Sequence, residues 1–176
     1  MDEIVVVNYG MGNTRSVANA FERLGSHCKI SDKPKDIYEA KGIVLPGVGA
    51  FHAAIANLTK LQLDKILTET VIDKGTPFLG ICLGMQLIAE DSQELGEGPG
   101  LGWIKGHVLK LNPEDSLRVP HVGWNDIYAR ASGILLDKLP KASNFFFDHS
   151  YYLKCSPEII TSVFNYGSEW AASIEY

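Results

Sequence analysis

Cysteine is scarce in this 176-residue sequence, which contains only Cys28, Cys82 and Cys155 at wide spacing. An odd number of dispersed cysteines does not describe a disulfide framework, and none of them has the spacing of a zinc ligand. The five histidines are also scattered, so the sequence predicts no bound metal. Free thiols fit a reducing compartment, and we therefore expect a cytoplasmic protein.

Long apolar runs and blocks of basic residues are missing as well. No stretch approaches the roughly 20 apolar residues of a membrane-spanning helix, and the start, Met1–Ile4, is acidic where a signal peptide is positively charged. Sixteen Lys and Arg against 21 Asp and Glu give a net charge of −5, without a basic cluster that would follow a phosphate backbone. These absences argue against membrane insertion, secretion and nucleic-acid binding.

The first half of the chain alternates short β-branched runs with helical patterns. The runs and patterns are Ile4–Val7, Asn13–Leu24, Gly42–Leu45, Leu63–Lys74 and Pro77–Ile81. This alternation predicts an α/β fold, with a mostly parallel sheet covered by helices on both faces. Ligands of such sheets bind at the carboxyl ends of the strands.

Finer features of the organisation can also be predicted. Asn13 can cap the first helix and Gly25 can end it, with Val17, Ala20, Phe21 and Leu24 on its apolar face. After Gly96 the sequence becomes rich in aromatic and β-branched residues, which predicts strands at Asn144–Tyr152 and Ile159–Tyr166. With 45% hydrophobic residues and no linker, we expect residues 1–176 to form a single domain, completed by extra antiparallel strands.

The pentapeptide Gly80–Gly84 places Cys82 between a predicted strand and a helix-like segment, Met85–Glu90. A residue at a sharp strand-to-helix turn needs small neighbours, and glycines two positions either side of Cys82 meet that need. The start of a helix also favours the thiolate over the thiol. We therefore predict that Cys82 is a nucleophile, whereas Cys28 and Cys155 fit the more common role of a small buried residue.

A second glycine-rich turn, Pro46–Gly49, directly follows the Gly42–Leu45 strand. Parallel strands end at one edge of the sheet, so this turn should lie near the strand-to-helix turn of Gly80–Gly84, which we call the elbow. An acyl-transfer enzyme needs N–H donors for the oxyanion, each worth about 3 kcal/mol of barrier lowering. The N–H of Leu83 would supply a second donor. An ordinary strand-to-helix turn is the alternative for Pro46–Gly49 taken alone.

Tyr9–Asn13 begins like a dinucleotide-binding fingerprint, but the third glycine position holds Arg15. A lone Gly-x-Gly is weak evidence, and we expect no nicotinamide or flavin cofactor.

Five blocks carry a resemblance over the whole chain: Asn8–Asn13, Pro46–Phe51, Gly80–Gln86, Pro120–Asn125 and Phe147–Tyr152. In this order they resemble the glutaminase subunits of imidazole glycerol phosphate synthase, which are class I (triad) glutamine amidotransferases. The resemblance implies a flavodoxin-like three-layer fold and no cofactor. It also implies glutamine hydrolysis through a cysteine thioester, with ammonia passing to a (β/α)₈-barrel synthase subunit in a heterodimer for histidine biosynthesis.

The resemblance also assigns roles to single residues. Gly47, Val48, Gly49 and Leu83 would form the oxyanion site, and Gln86, Glu94, Ser150 and Tyr151 would bind the substrate. Gly10, Met11, Gly12, Asn13, His121, Trp124 and Asn125 would face the synthase. From the residues alone, the favoured interpretations are different: Gln86 is a polar helix position, Glu94 a solvated surface charge and Trp124 a core aromatic.

The sequence departs from the family at the acid–base pair. The family carries its catalytic histidine and glutamate in a His-Pro-Glu segment, and no such segment occurs here. We expect a chain truncated after Tyr176. His149 is a candidate substitute, but a structural role for it is the simpler interpretation.

Three functional hypotheses follow from these features. The first is a glutaminase subunit that feeds the imidazole-forming synthase or a related sugar-aminating synthase. The second is a stand-alone cysteine hydrolase. The third is a non-catalytic subunit that binds the synthase but does not hydrolyse glutamine.

Overall fold

The computed structural model describes residues 3–114 and 117–176, so the acidic start at Met1 and Asp2 lies outside the described residues. The chain divides into two compact units. The first unit runs to Asp91 and includes Gly98–Trp103, and the second consists of Ser92–Glu97 and Ile104–Tyr176. The expectation of one domain over residues 1–176 stays a prediction.

The first unit is a parallel sheet with helical connections. Its sheet has the order β2-β1-β3-β4, and all three pairings are parallel. The elements are β1 (Ile4–Val7), α1 (Thr14–Arg23), β2 (Cys28–Ser31), α2 (Pro34–Glu39), β3 (Gly42–Gly47), α3 (Phe51–Lys60), α4 (Leu63–Thr68), β4 (Phe78–Cys82) and α5 (Leu83–Gln86). A π-helical turn, Glu69–Asp73, continues α4, and two-residue strands β5 (Asp91–Ser92) and β6 (Gly98–Pro99) follow α5.

The central strands of this sheet are buried, as their continuous apolar sequences predict. Val5, Val6 and Val7 of β1 have no exposed surface, and Ile43–Leu45 of β3 is at most 2% exposed. The predicted strands at Ile4–Val7 and Gly42–Leu45 are thus confirmed, and β4 confirms the third, shifted by one residue toward Cys82. Strand β2 and helices α2 and α3 were not predicted.

Helix α1 has the predicted ends but a different buried face. The side chain of Asn13 accepts a hydrogen bond from Ser16 N at 3.2 Å, and Gly25 follows the helix with φ 76°. Ala18 is the buried residue, whereas Leu24 is 82% exposed and Ala20 is exposed too. The predicted apolar face was therefore wrong at two of four positions, because the helix buries Ala18, which lies outside that face.

Helix α5 is shorter than the predicted Met85–Glu90 segment. Backbone N–H groups of Gly100–Trp103 donate hydrogen bonds of 2.8–2.9 Å to the carbonyls of Leu87–Glu90. Those carbonyls are therefore paired with a segment that follows later in the chain. Directly after α5, Ala89 N donates to Gln86 O, only three residues back, at 3.1 Å, so the chain tightens into a turn there and does not continue as an α-helix.

The second unit is built from antiparallel strands, as its composition predicts. Strand β7 (Gly106–Lys110) pairs with β10 (Tyr151–Cys155), and a four-stranded sheet has the order β12-β11-β8-β9. Its strands are β8 (His121–Ala129), β9 (Ala142–His149), β11 (Ile160–Tyr166) and β12 (Ser168–Ile174). The predicted strand at Ile159–Tyr166 is confirmed. The one predicted at Asn144–Tyr152 is wrong in extent, because Ser150 separates β9 from β10.

None of the helices among the described residues is long and apolar enough to cross a membrane. Within residues 3–114 and 117–176, no group of three or more His, Cys, Asp or Glu side chains is placed to hold a metal ion.

Candidate active site

Cys82 is the last residue of β4, and α5 begins directly after it. Its backbone has φ 55° and ψ −116°, a conformation that residues with a side chain rarely adopt. Such strain costs about 1–3 kcal/mol and persists only where the surroundings impose it. Cys82 is exposed, so the turn leaves this residue accessible to a ligand.

The two glycines that flank Cys82 allow the turn to form. A Cβ at Gly84 would lie 1.7 Å from the carbonyl oxygen of Leu45, and a Cβ at Gly80 would lie 2.7 Å from the carbonyl oxygen of Gly84. Real Cβ atoms essentially never approach closer than 3.0 Å. Any other residue at these positions would therefore push the start of α5 away from β3 and β4.

The candidate oxyanion segment lies beside the elbow. Strands β3 and β4 pair so that Gly47 is the partner of Cys82. Gly47 is buried, whereas Val48 is 59% exposed and Gly49 is exposed with φ 99°. The backbone thus emerges from the sheet next to Cys82, where its N–H groups could meet a developing oxyanion.

The turn after β1 packs against this segment. A Cβ at Gly12 would lie 3.0 Å from the carbonyl group of Pro46, and one at Gly49 would lie 2.9 Å from Met11 Cε. Gly10 and Gly12 have φ of 85° and 116°, so both need the freedom of glycine. The turn predicted to face a partner, Gly10–Asn13, is therefore in contact with the candidate oxyanion backbone.

The candidate substrate-binding residues divide between the two units. Gln86 of α5 is buried in the first unit, which also contains Cys82, Leu83 and Gly47–Gly49. Glu94, Ser150 and Tyr151 belong to the second unit and are half-buried. The main-chain oxygen of Ser150 accepts from Leu111 N at 2.9 Å, and that of Tyr151 lies 2.9 Å from His149 Nδ1.

His121, Asn125 and His149 form a hydrogen-bonded chain in the second unit. His121 Nδ1 lies 3.1 Å from His149 Nε2, and Asn125 Nδ2 lies 3.4 Å from His121 Nε2. With both rings neutral, each Nδ1 donates: His149 to the Tyr151 carbonyl and His121 to His149. Burial is the main cause that lowers the pKa of each histidine, which agrees with the neutral state.

The burial of these side chains bears on the predicted partner surface. His121 is only 4% exposed and stacks on Phe164 and Tyr166, which favours a structural role over direct contact with a partner. Trp124 is 71% exposed. His149 is engaged with His121 and the Tyr151 carbonyl, which favours the structural interpretation of that residue.

The sequence matches the family described as glutamine amidotransferase class-I over residues 5–175. It is 43% identical to the imidazole glycerol phosphate synthase subunit HisH 2 of Vibrio vulnificus, over 99% of this chain and 82% of that protein. It is 42% identical to subunit HisH of Moorella thermoacetica, again over 99% and 82%. This chain belongs to the class I glutamine amidotransferases. Within them it belongs with the HisH subunits, a family of glutaminases.

Solved structures agree with this amidotransferase fold. A crystal structure of a glutamine amidotransferase aligns with a TM-score of 0.69 at 16% identity, covering 95% of this chain and 87% of that one. A glutamine amidotransferase from Thermotoga maritima aligns with a TM-score of 0.60 at 16% identity, covering 96% and 74%. At these identities the likeness shows the fold, and it confirms the predicted α/β class I architecture.

One residue of the amidotransferase elbow was missed by sequence reasoning. Tyr9 is 1% exposed, and its hydroxyl oxygen lies where a Cβ of Gly47 would be 2.7 Å away. The pKa of Tyr9 is raised mainly by burial, and the charge of Cys82 raises it further. The available signal was its place directly before the Gly10–Gly12 turn.

Proposed function

We propose that this chain hydrolyses glutamine with Cys82 as nucleophile and delivers the ammonia to a synthase subunit that forms imidazole glycerol phosphate. The observation that carries the proposal is the exposed Cys82 at a positive-φ elbow, register partner of Gly47. Relatives at 40–43% identity bear the name of the imidazole glycerol phosphate synthase subunit. We therefore assign that acceptor enzyme in preference to a related sugar-aminating synthase.

The chemistry follows from the elbow. The Cys82 thiolate attacks the side-chain amide carbon of glutamine, a C–S bond forms, and the carbonyl oxygen becomes an oxyanion. N–H groups of the Gly47–Gly49 segment and Leu83 stabilise that charge. The C–N bond then breaks, and the nitrogen leaves as ammonia after taking up the proton that the thiol had released. Water hydrolyses the glutamyl thioester to glutamate and restores the thiol.

Substrate recognition is assigned to polar groups at four positions. In this proposal Gln86 and Glu94 hold the amino-acid end of glutamine, and the main chain of Ser150 and Tyr151 adds contacts. Selectivity for the free α-amino and α-carboxyl groups would separate glutamine from a peptide amide.

The partner is a second polypeptide, a (β/α)₈-barrel synthase subunit bound as a heterodimer in the cytoplasm. The Gly10–Asn13 turn and the exposed Trp124 are the proposed contacts. Because Gly12 and Met11 pack against Pro46 and Gly49, a partner that presses on this turn would move the candidate oxyanion backbone. This contact offers a physical route by which binding could control hydrolysis.

The first test separates capture of glutamine from turnover, because the sequence holds no His-Pro-Glu segment. The chain is treated with a glutamine analogue that carries a chloroketone in place of the side-chain amide, and the adduct is located by peptide mass spectrometry. We expect modification of Cys82, with protection by glutamine and none by asparagine. Cys28 and Cys155 are controls within the same chain. Equal labelling of all three cysteines, or no protection by glutamine, would refute a glutamine site at Cys82.

The second test uses the complex with the synthase subunit. Cys82→Ala should abolish synthesis that depends on glutamine and leave synthesis from added ammonia intact, because only the source of ammonia is lost. Cys28→Ala is the matched control and should retain both activities. Loss of both activities in Cys82→Ala would contradict the division of labour between the two subunits.

A further inference from the structure

The hydroxyl of Tyr9 is a buried polar group without a hydrogen-bond partner among the described residues. Its side chain is 1% exposed, so water does not satisfy the oxygen from outside. Buried polar groups are nearly always paired, and an unpaired one carries a free-energy cost. Phenylalanine would fill the same space without that cost. The hydroxyl therefore needs an explanation other than packing.

The position of this hydroxyl is informative. It lies beside Gly47, where it fills the space that a side chain would need. An ideal Cβ built on Gly47 would lie 2.7 Å from the Tyr9 hydroxyl oxygen, 2.8 Å from Leu83 Cβ and 2.9 Å from Gly84 N. Gly47 is the register partner of Cys82, and Leu83 and Gly84 are the two residues after Cys82. The oxygen thus sits where β3, β4 and the start of α5 converge, all within the first unit.

The charges around Tyr9 favour a proton donor. Its pKa is raised first by burial and second by the charge of Cys82, whereas its other neighbours at this point, Gly47, Leu83 and Gly84, carry no charge. The phenol therefore keeps its proton when the thiol ionises. A phenol that keeps its proton beside a thiolate has an O–H to donate, and hydrogen bonds to a charged acceptor are stronger than those to a neutral one.

We propose that Tyr9 is a positioning residue for the nucleophile, with its hydroxyl donating a hydrogen bond to the Cys82 sulfur once the thiolate has formed. The inference rests on the proposed function in taking Cys82 as the nucleophile. Tyr9 keeps its proton throughout, so it is neither the base that takes the thiol proton nor the acid that protonates ammonia. Its effect is to lower the pH at which Cys82 reacts.

The test is the rate of alkylation of each cysteine by iodoacetamide between pH 5 and 10, measured by peptide mass spectrometry on the whole chain. In Tyr9→Phe the pH midpoint of Cys82 alkylation should rise by about one unit, so that the rate below the midpoint falls about tenfold. Cys28 and Cys155 should keep their profiles. Tyr38→Phe, which removes the hydroxyl of a 41% exposed residue in the same unit, is the matched control and should leave Cys82 unchanged.

Urea unfolding of Tyr9→Phe supplies a second measurement. Stability equal to or above that of the parent chain, together with the shifted Cys82 profile, supports a positioning role, because a merely structural hydroxyl would not move the profile. An unchanged Cys82 profile, or a parallel shift of all three cysteines, overturns the proposal. Iodoacetamide needs no glutamine site, so failure of glutamine protection would remove the proposed glutaminase function and leave this result readable.

Discussion

For the substitution Gly84→Ala, two physical effects predict opposite changes in the free energy of unfolding. Gly84 lies in α5, and alanine is favoured over glycine in a helix by about 1 kcal/mol. Helix propensity alone therefore predicts a more stable protein. However, the new Cβ would lie 1.7 Å from the carbonyl oxygen of Leu45 and 2.8 Å from its carbon. The packing of β3 against α5 therefore predicts a less stable one.

The size of the clash decides between these effects. The Cβ and the Leu45 oxygen would have to separate by about 1.3 Å to reach the 3.0 Å that real contacts respect. The Leu45 oxygen is a backbone atom, and the new Cβ would be attached directly to the backbone of buried Gly84, so no flexible side chain can move aside. Overpacking of a core costs about 1–3 kcal/mol, and a clash with a backbone atom that cannot move aside should lie at the upper end of that range. We expect a net loss of about 2 kcal/mol after the propensity gain.

Urea unfolding measures this difference, and hydrogen exchange in peptides from β3 and β4 locates it in the first unit. Gly42→Ala is the matched control, because a Cβ there would meet only ordinary contacts, at 3.7 Å from Ile4 Cγ1 and 4.0 Å from Pro77 O. That variant should be neutral or slightly stabilised. A Gly84→Ala chain as stable as Gly42→Ala would show that the close approach of α5 and β3 is not a constraint, and the steric account of the elbow would fail.

Two further predictions concern a helix end and a pH dependence. Asn13→Ala should lower the free energy of unfolding by about 1 kcal/mol, because it removes the hydrogen bond from Ser16 N that caps α1, whereas Asn13→Asp should retain it; equal losses in urea unfolding would contradict the capping role. The folded-state pKa values of His121 and His149 are lowered by burial, so unfolding takes up protons as the pH falls. Their contribution to stability should be complete above the unfolded pKa of about 6.5 and should be lost as the pH falls below it. In His149→Gln the urea midpoint of unfolding should change less between pH 7.5 and 5.5 than it does in the parent chain. An equal change of the midpoint with pH in both chains would count against the neutral histidine pair.

The parts of the fold that the sequence predicted are those under local constraint. A continuous Val/Ile/Leu run reports burial on both faces wherever it occurs, so β1 and β3 could be found without knowledge of their neighbours. The cap at Asn13 and the stop at Gly25 likewise depend on a few adjacent residues. Helix α3 had the same kind of signal, with Phe51, Ala54 and Leu58 all buried on one face, and was missed because the preceding glycine turn masks its start.

Other features depend on segments distant in sequence and had no local signal. The segment directly after α5 is one such feature, because the carbonyls of Leu87–Glu90 accept hydrogen bonds from the N–H groups of Gly100–Trp103. The buried face of α1 is set by its approach to the sheet, which spacing alone does not determine. The break between β9 and β10 falls at Ser150 inside an aromatic run without glycine or proline. In each case tertiary contacts overrode the local pattern.

The elbow combines both kinds of constraint. Its glycines were predicted from crowding around Cys82, and the structure shows two sources of that crowding: the nearby Gly84 backbone excludes a side chain at Gly80, and the distant Leu45 backbone excludes one at Gly84. The same close packing leaves Gly47 against the Tyr9 hydroxyl. A strained Cys82 needs rigid neighbours on every side, so the strand that supplies the candidate oxyanion donors also holds the nucleophile in place. Stability and reactivity therefore share residues here, and changes at Gly47 or Gly84 should affect both.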